Sequence, residues 1–147
     1  MRRITAPKAI VGVLALGLAI QLVPFGREHA NPPVLLEPAW DAPKTRELAA
    51  RACFNCHANQ TTWPWYSNIA PVSWLTQRDV NQGRLHMNFS EWSKPQKNAT
   101  KAADEVEKGD MPPWFYLPMH SEARLNPEER AALIGGLKNM FGTQPAP

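Results

Sequence analysis

The chain has 147 residues and a formal net charge of +3. That length allows one small domain and little more, and its basic residues form no run or patch beyond the N-terminus, which argues against nucleic-acid binding. With 15 prolines, 6 tryptophans and only 2 cysteines, the composition excludes long uninterrupted helices, a broad sheet and a disulfide scaffold.

Arg2, Arg3 and Lys8 precede an apolar stretch from Ala9 to Phe25 that only Gln21 interrupts. A basic region followed by an apolar one marks an N-terminal membrane anchor or signal segment over residues 1–25. The stretch is about 17 residues long, at the short end for a membrane span. Cleavage after Ala30 would place Glu28 at the −3 position, where a small residue belongs, so a retained anchor is the preferred reading. The flanking Arg and Lys residues then stay in the cytoplasm. The rest is expected on the periplasmic side of the inner membrane, with secretion after cleavage as the alternative. Residues 26–40 carry Pro32, Pro33 and Pro38 and read as an extended tether.

Residues 41–142 are expected to form an all-α domain of about four helices with long Pro/Trp-rich loops. The first helix starts after Asp41, a possible N-cap, and runs through Leu48 and Ala49 into the cysteine motif. Pro71 to about Leu85 is the second, with Val72, Leu75, Val80 and Leu85 apolar. The third spans Pro95 to Lys108, is mostly polar and therefore a surface helix, and stops at Gly109. Met111-Pro112-Pro113-Trp114 is extended, because residues before proline avoid the helical region. In the last helix Asn126 is the N-cap, Pro127 the first residue and Glu129 the partner of a capping box. Its stripe is Leu133, Ile134, Leu137, Met140 and Phe141, and Gly142 ends it. Residues 143–147 read as a disordered tail, and there is no internal repeat.

Cys53-Phe54-Asn55-Cys56-His57 is a Cys-x-x-Cys-His run, the attachment pattern of covalent haem c. Each thiol can add to one vinyl group of the porphyrin. On a helix, a spacing of three puts both sulfurs on one side. His57 is then the proximal axial iron ligand through Nε2, while its other ring nitrogen donates to a backbone carbonyl. The turn Ile69-Ala70-Pro71 is the expected source of that carbonyl. A thioredoxin-type pair would need a βαβ frame, which is missing. A zinc site would have to use the adjacent Cys56 and His57 on one tetrahedral ion, an awkward geometry. Export agrees with the motif, because bacterial haem attachment occurs outside the cytoplasm.

The distal ligand is open among Met111, His120, Met119, Met87 and His86, with His29 in the tether. Met111 is preferred, with His120 and Met119 as the main alternatives. It lies in a proline-stiffened loop before the last helix, and a methionine sulfur favours ferrous iron and raises the potential. The tryptophans (Trp63, Trp65, Trp74, Trp92, Trp114) are expected as core and haem-wall packing. Arg78, Arg84 and Arg124 are candidates for pairing with haem propionates.

The stretch Cys-Phe-Asn-Cys-His-Ala-Asn-Gln-Thr-Thr-Trp-Pro-Trp-Tyr-Ser-Asn-Ile-Ala-Pro-Val-Ser-Trp-Leu, residues 53–75, resembles the haem-binding domain family of small exported bacterial c-type cytochromes. Asn88-Phe89-Ser90-Glu91-Trp92 and Gly109-Asp110-Met111-Pro112-Pro113 extend the likeness from about Trp40 to Met140. The order of helix, CxxCH, loops, Met-Pro loop and terminal helix is also similar to class I cytochromes c. The resemblance implies one covalent haem, a membrane segment, and His57 and Met111 as axial ligands. It names no redox partner.

The expected function is a monohaem electron-transfer protein, not an enzyme, tethered to the inner membrane and serving an unidentified protein donor and acceptor. The alternative is a haem-based gas or redox sensor, or a peroxidase-like enzyme, with an open or labile sixth site. A third reading makes haem only the stabiliser of a docking module.

Overall fold

The computed structural model describes residues 6–142. Arg2 and Arg3 of the basic region, and the expected tail 143–147, lie outside the described residues. The described residues are helical, with one isolated parallel bridge between Leu36 and Glu91 and no strand. The described residues form six α-helices: α1 (Ala6–Ala19), α2 (Pro43–Ala52), α3 (Phe54–His57), α4 (Val72–His86), α5 (Ala102–Lys108) and α6 (Pro127–Phe141). The chain divides into two compact units. One holds residues up to His29 with Trp63–Asp79, and the other holds Ala30–Thr62 with the residues from Val80 on.

In the first unit, α1 exposes Ile10, Val11, Val13, Leu14, Leu16 and Leu18. Its 14 residues rise about 21 Å, short of a hydrocarbon core of about 30 Å. Among the described residues no helix is long and apolar enough to cross a membrane, so the membrane segment expected from composition is not present as a spanning helix. Gln21, the polar interruption noted in the sequence, has a structural task. Its amide nitrogen donates to the carbonyls of Gly17 and Ala70, and its oxygen accepts from Ala70 N–H and Arg27. The α-helix has given way by then to a short 3-10 turn, Ile20–Leu22. Gly26 turns the chain with φ +80°, pressed against the Ser73 carbonyl where a Cβ would have no room. His29 stacks on Trp63 at 4.7 Å and meets the Ser67 hydroxyl at 2.9 Å.

The second unit contains the main core. Leu48 and Ala49 of α2, Phe54 of α3, Phe89, Ala103 and Val106 of α5, and Leu133, Leu137 and Phe141 of α6 are buried together. Trp92 stacks on Phe89 and on Phe141, and Trp40 meets Phe89 at a tilt, with ring centroids 5.3 Å apart. The segment read as a tether is extended, as its prolines require, and it is laid along the core. Leu35 and Leu36 N–H donate to Ser90 O, and Trp92 N–H to Leu36 O.

Three helix boundaries differ from the sequence reading. Ala42, not Asp41, is the N-cap of α2 and, as an alanine, offers no side-chain cap bond; Pro43 at N1 starts the helix without needing its missing N–H. The helix does not run unbroken into the motif. Cys53, at φ −123°, is a joint between α2 and the separate turn α3, which brings the domain's helices to five, against the four expected. The helix expected from Pro95 begins only at Ala102, after a 3-10 turn at Ala99–Lys101. The side chain of Gln96 is occupied elsewhere: it binds Asn88 N–H and the carbonyls of Glu91 and Lys94. Short and polar as it is, α5 still buries Ala103 and Val106. Its end is as expected, with Gly109 at φ +86°, and Arg130 of α6 donates to the Val106 and Glu107 carbonyls there.

The last helix matches its sequence signature throughout. Asn126 accepts from Glu129 N–H, the Glu129 carboxylate accepts from Asn126 N–H, and Pro127 is the first residue. Arg51 of α2 also grips the Glu129 carboxylate at 2.6 Å. Along α4 the apolar pattern misleads: Val72, Leu75 and Leu85 are exposed and Val80 is buried. The tight contact of this helix is made by Gly83.

Candidate haem site

Cys53, Cys56 and His57 stand together on one helical turn. Cys56 N–H and His57 N–H both donate to Cys53 O, at 3.1 and 2.9 Å. The peptide of α4 at Gly83 packs so closely on Cys56 that a Cβ there would overlap the Cys56 carbonyl and its own Cβ. A glycine at 83 therefore fixes how near α4 approaches the motif, a requirement invisible in the apolar pattern. Both cysteines are free thiols. Cys53 packs against the core, and burial, followed by the neighbouring Cys56, pushes its thiol up to about 12. It is therefore held as the thiol at neutral pH in this folded state.

His57 is oriented as a metal-binding histidine needs to be. Its Nδ1 lies 3.0 Å from the Met87 carbonyl oxygen, which assigns the proton to Nδ1 and leaves the Nε2 lone pair for a ligand. The carbonyl is thus Met87 and not the Ile69-Ala70-Pro71 turn expected from sequence. Burial holds the ring below its ordinary value, opposed by the carbonyls of Met87 and Gly83, so it is neutral at pH 7. Phe89 N–H donates to His57 O at 2.7 Å. Beyond it, Asn59 N–H donates to the Ser90 hydroxyl, Asn88 Nδ2 to Asn59 Oδ1, and Ser90 N–H to Asn88 Oδ1, at 2.8–2.9 Å. This buried polar chain ties the segment after the motif to residues 87–90. Its trace in the sequence is the Asn88-Phe89-Ser90-Glu91-Trp92 block.

The loop after α5 carries the distal candidates. Met111 is 37% exposed and its N–H donates to Glu105 O. Met119 is 61% exposed, Trp114 81%, and Phe115 is also exposed. His120 is buried and engaged: Nδ1 is 2.9 Å from the Glu122 carboxylate and the ring stacks on Tyr116 at 3.8 Å. Met87 is a core residue, and His86 Nδ1 is 2.8 Å from Asn98. Asn55 links this loop to the motif. Asn55, between the two cysteines, donates to the Tyr116 hydroxyl at 2.7 Å, while its own oxygens accept from Thr61 and Thr62.

Arg84 is engaged within the chain. Its guanidinium donates to the carbonyls of Ala58 and Ala30 and to Asn31 and Thr61. Arg124 donates to Leu117 O. The tryptophans divide as well: Trp92 packs, half-buried, against the core, whereas Trp65 and Trp114 are exposed. In the first unit, the ring N–H of Trp74 and Nε of Arg27 are buried without a hydrogen-bond partner.

The donor set suits an iron porphyrin: two thiols one turn apart, a neutral imidazole with its tautomer set, and a loop presenting methionines and aromatic rings. Among the described residues no cluster of three or more His, Cys, Asp or Glu forms a metal site of another kind. No curated protein and no solved structure matches the chain. A family model described as "Haem-binding domain" matches residues 15–139. On a match that spans the motif, the Met111 loop and nearly all of α6, the chain belongs to the haem-binding domain family and is a haem-binding protein.

Proposed function

We propose that the protein is a monohaem c-type cytochrome that carries single electrons. Cys53 and Cys56 would each add S–H across one vinyl group, giving two thioethers with no net oxidation. His57 would bind the iron through Nε2 and Met111 would complete the coordination. The observation that carries this reading is the His57 Nδ1 bond to the Met87 carbonyl, directly beside the two thiols. An imidazole so held is a preorganised ligand. A methionine on the other side is soft and neutral and stabilises the ferrous state. Two strong-field ligands leave little reorganisation between oxidation states, which suits electron transfer better than catalysis.

His120 is buried, with its ring stacked on Tyr116 and Nδ1 on Glu122; ligation through Nε2 would keep the Glu122 contact but needs a buried ring to reach the iron. Met111 is preferred over His120 because it is the more exposed of the two, at 37%. That same exposure supports the second reading, a sensor or peroxidase-like protein with a labile sixth site. Carbon monoxide addition to the reduced protein separates the two: slow or absent binding supports the carrier, and rapid stoichiometric binding at neutral pH defeats it.

Export to the periplasmic side, with attachment through the N-terminal segment, completes the proposal. The exposed apolar face of α1 supports it, with the basic residues before it. Fractionation of the expressing cells tests it. Recovery with the membrane after a high-salt wash supports a retained anchor, a soluble periplasmic form supports cleavage, and recovery in the cytoplasm opposes both.

A further inference from the structure

His57 does not bond to an isolated carbonyl. The Met87 carbonyl that accepts its Nδ1 proton and the Asn88 N–H belong to one peptide group. That N–H donates to Gln96 Oε1 at 2.8 Å, and the carbonyl receives His57 Nδ1 at 3.0 Å. A hydrogen bond accepted from a peptide N–H polarises the amide and makes its carbonyl oxygen a better acceptor. We infer that Gln96 is a positioning residue for His57: through the Met87–Asn88 peptide it strengthens the pull on the Nδ1 proton and so raises the donor strength of the imidazole. The inference rests on His57 being an iron ligand, as proposed above.

Three observations support this assignment. The amide of Gln96 has one orientation. Its Nε2 donates to the carbonyls of Glu91 and Lys94 at 2.8 and 3.0 Å, so the oxygen must face Asn88. The peptide is also held in place without Gln96. Met87 N–H donates to Gly83 O, Phe89 N–H to His57 O, and the Asn88 side chain binds Asn59 and Ser90. Removing the Gln96 oxygen therefore changes the polarisation of the peptide more than its position. Finally, Pro95 precedes Gln96, where its fixed φ limits the conformations that the turn must give up.

The bland alternative is that Gln96 merely closes the 91–96 turn through its two donated bonds. Two variants of the full-length haem-loaded protein separate these roles. Gln96→Met removes both the acceptor and the donors, whereas Gln96→Glu keeps an acceptor and removes the donors. The readouts are the reduction potential and the His57 Nδ1–H proton resonance of the reduced protein. Gln96→Met is expected to raise the ferrous-to-ferric ratio severalfold at a fixed poise and to shift the Nδ1–H resonance upfield. Gln96→Glu is expected to lower that ratio and to shift the resonance downfield. The resonance matters because a new negative charge alone would lower the potential without moving it.

Equal shifts in the same direction from both variants, or no change in the resonance with either, would overturn the inference. If Gln96→Met fails to hold haem, Gln96→Glu decides alone, and an unmoved or upfield resonance is then the contrary result. Failure of the underlying reading is visible separately, as a wild-type protein whose spectrum is indifferent to His57→Ala.

Discussion

The turn that carries His57 and the loop that carries Met111 are built differently. His57 has its backbone N–H, backbone carbonyl and Nδ1 all in hydrogen bonds of 3.0 Å or less, and its neighbours are tied into a buried chain of Asn59, Asn88 and Ser90. Met111 is held by a backbone bond to Glu105 and leaves its side chain in the open with Trp114 and Phe115. One side is rigid before any ligand arrives; the other offers a flexible, polarisable side chain that can settle against one. On the proposed reading, the proximal side is preorganised by hydrogen bonds within the chain, and the distal side would be completed on binding.

The largest expected effect breaks the rigid side. Cys53→Ala or Cys56→Ala should lose most of the haem that survives denaturation, measured as the pyridine haemochrome of the unfolded protein. Full retention in both variants would mean that the thiols are not the attachment points. Next comes packing under the same turn. Gly83→Val should cost about 3 kcal/mol, the upper end for overpacking a close contact, because its side chain must displace the Cys56 backbone. Denaturant unfolding of the loaded protein checks this, and an unchanged midpoint would mean that α4 moves aside freely.

The flexible side should respond differently. Met111→Ala should keep haem attached while lowering the potential by roughly 0.1 V, a fraction of the ~0.8 V over which axial ligands act, and opening the iron to carbon monoxide. His120→Ala should leave the potential alone and cost about 1 kcal/mol through the lost stack on Tyr116. The reverse pattern would reassign the ligand.

The smallest effect concerns protons. His57 is held below its ordinary value by burial, so without iron the unfolded state binds the proton more readily. Its contribution to stability is complete above the ordinary histidine value and is lost as pH falls through that value toward the depressed folded one. Haem-free chain should therefore unfold more easily as pH drops below about 6.5. His57→Phe should flatten that segment of the curve, and an identical pH profile in the variant would exclude His57 as its cause.

The sequence displayed the chemistry better than its surroundings. Cys53, Cys56 and His57 are a contiguous run whose meaning needs no tertiary information, and the Asn126, Pro127 and Glu129 cap is equally local. The bond to Met87 was legible in kind but not in partner, because it joins residues 30 apart, which no local pattern specifies. The start of α5 was misplaced because Pro95 is as good a helix opener as a turn residue. What decides between them is the Gln96 side chain and its three bonds to Asn88, Glu91 and Lys94. The apolar residues of α4 misled for a related reason: its tightest contact is a glycine, which no hydrophobic pattern registers. Gln21 stood out only as a blemish in an apolar run, and its bonds to Ala70 lie 49 residues away.

The central claim is that haem is joined to this chain through the two thiols beside His57. Acid–acetone extraction of the exported protein, purified from cells with an intact haem-attachment system, tests it most directly. The colour should stay with the polypeptide, whose mass is increased by that of one haem. Complete passage of the pigment into the solvent, leaving an unmodified chain, would contradict it.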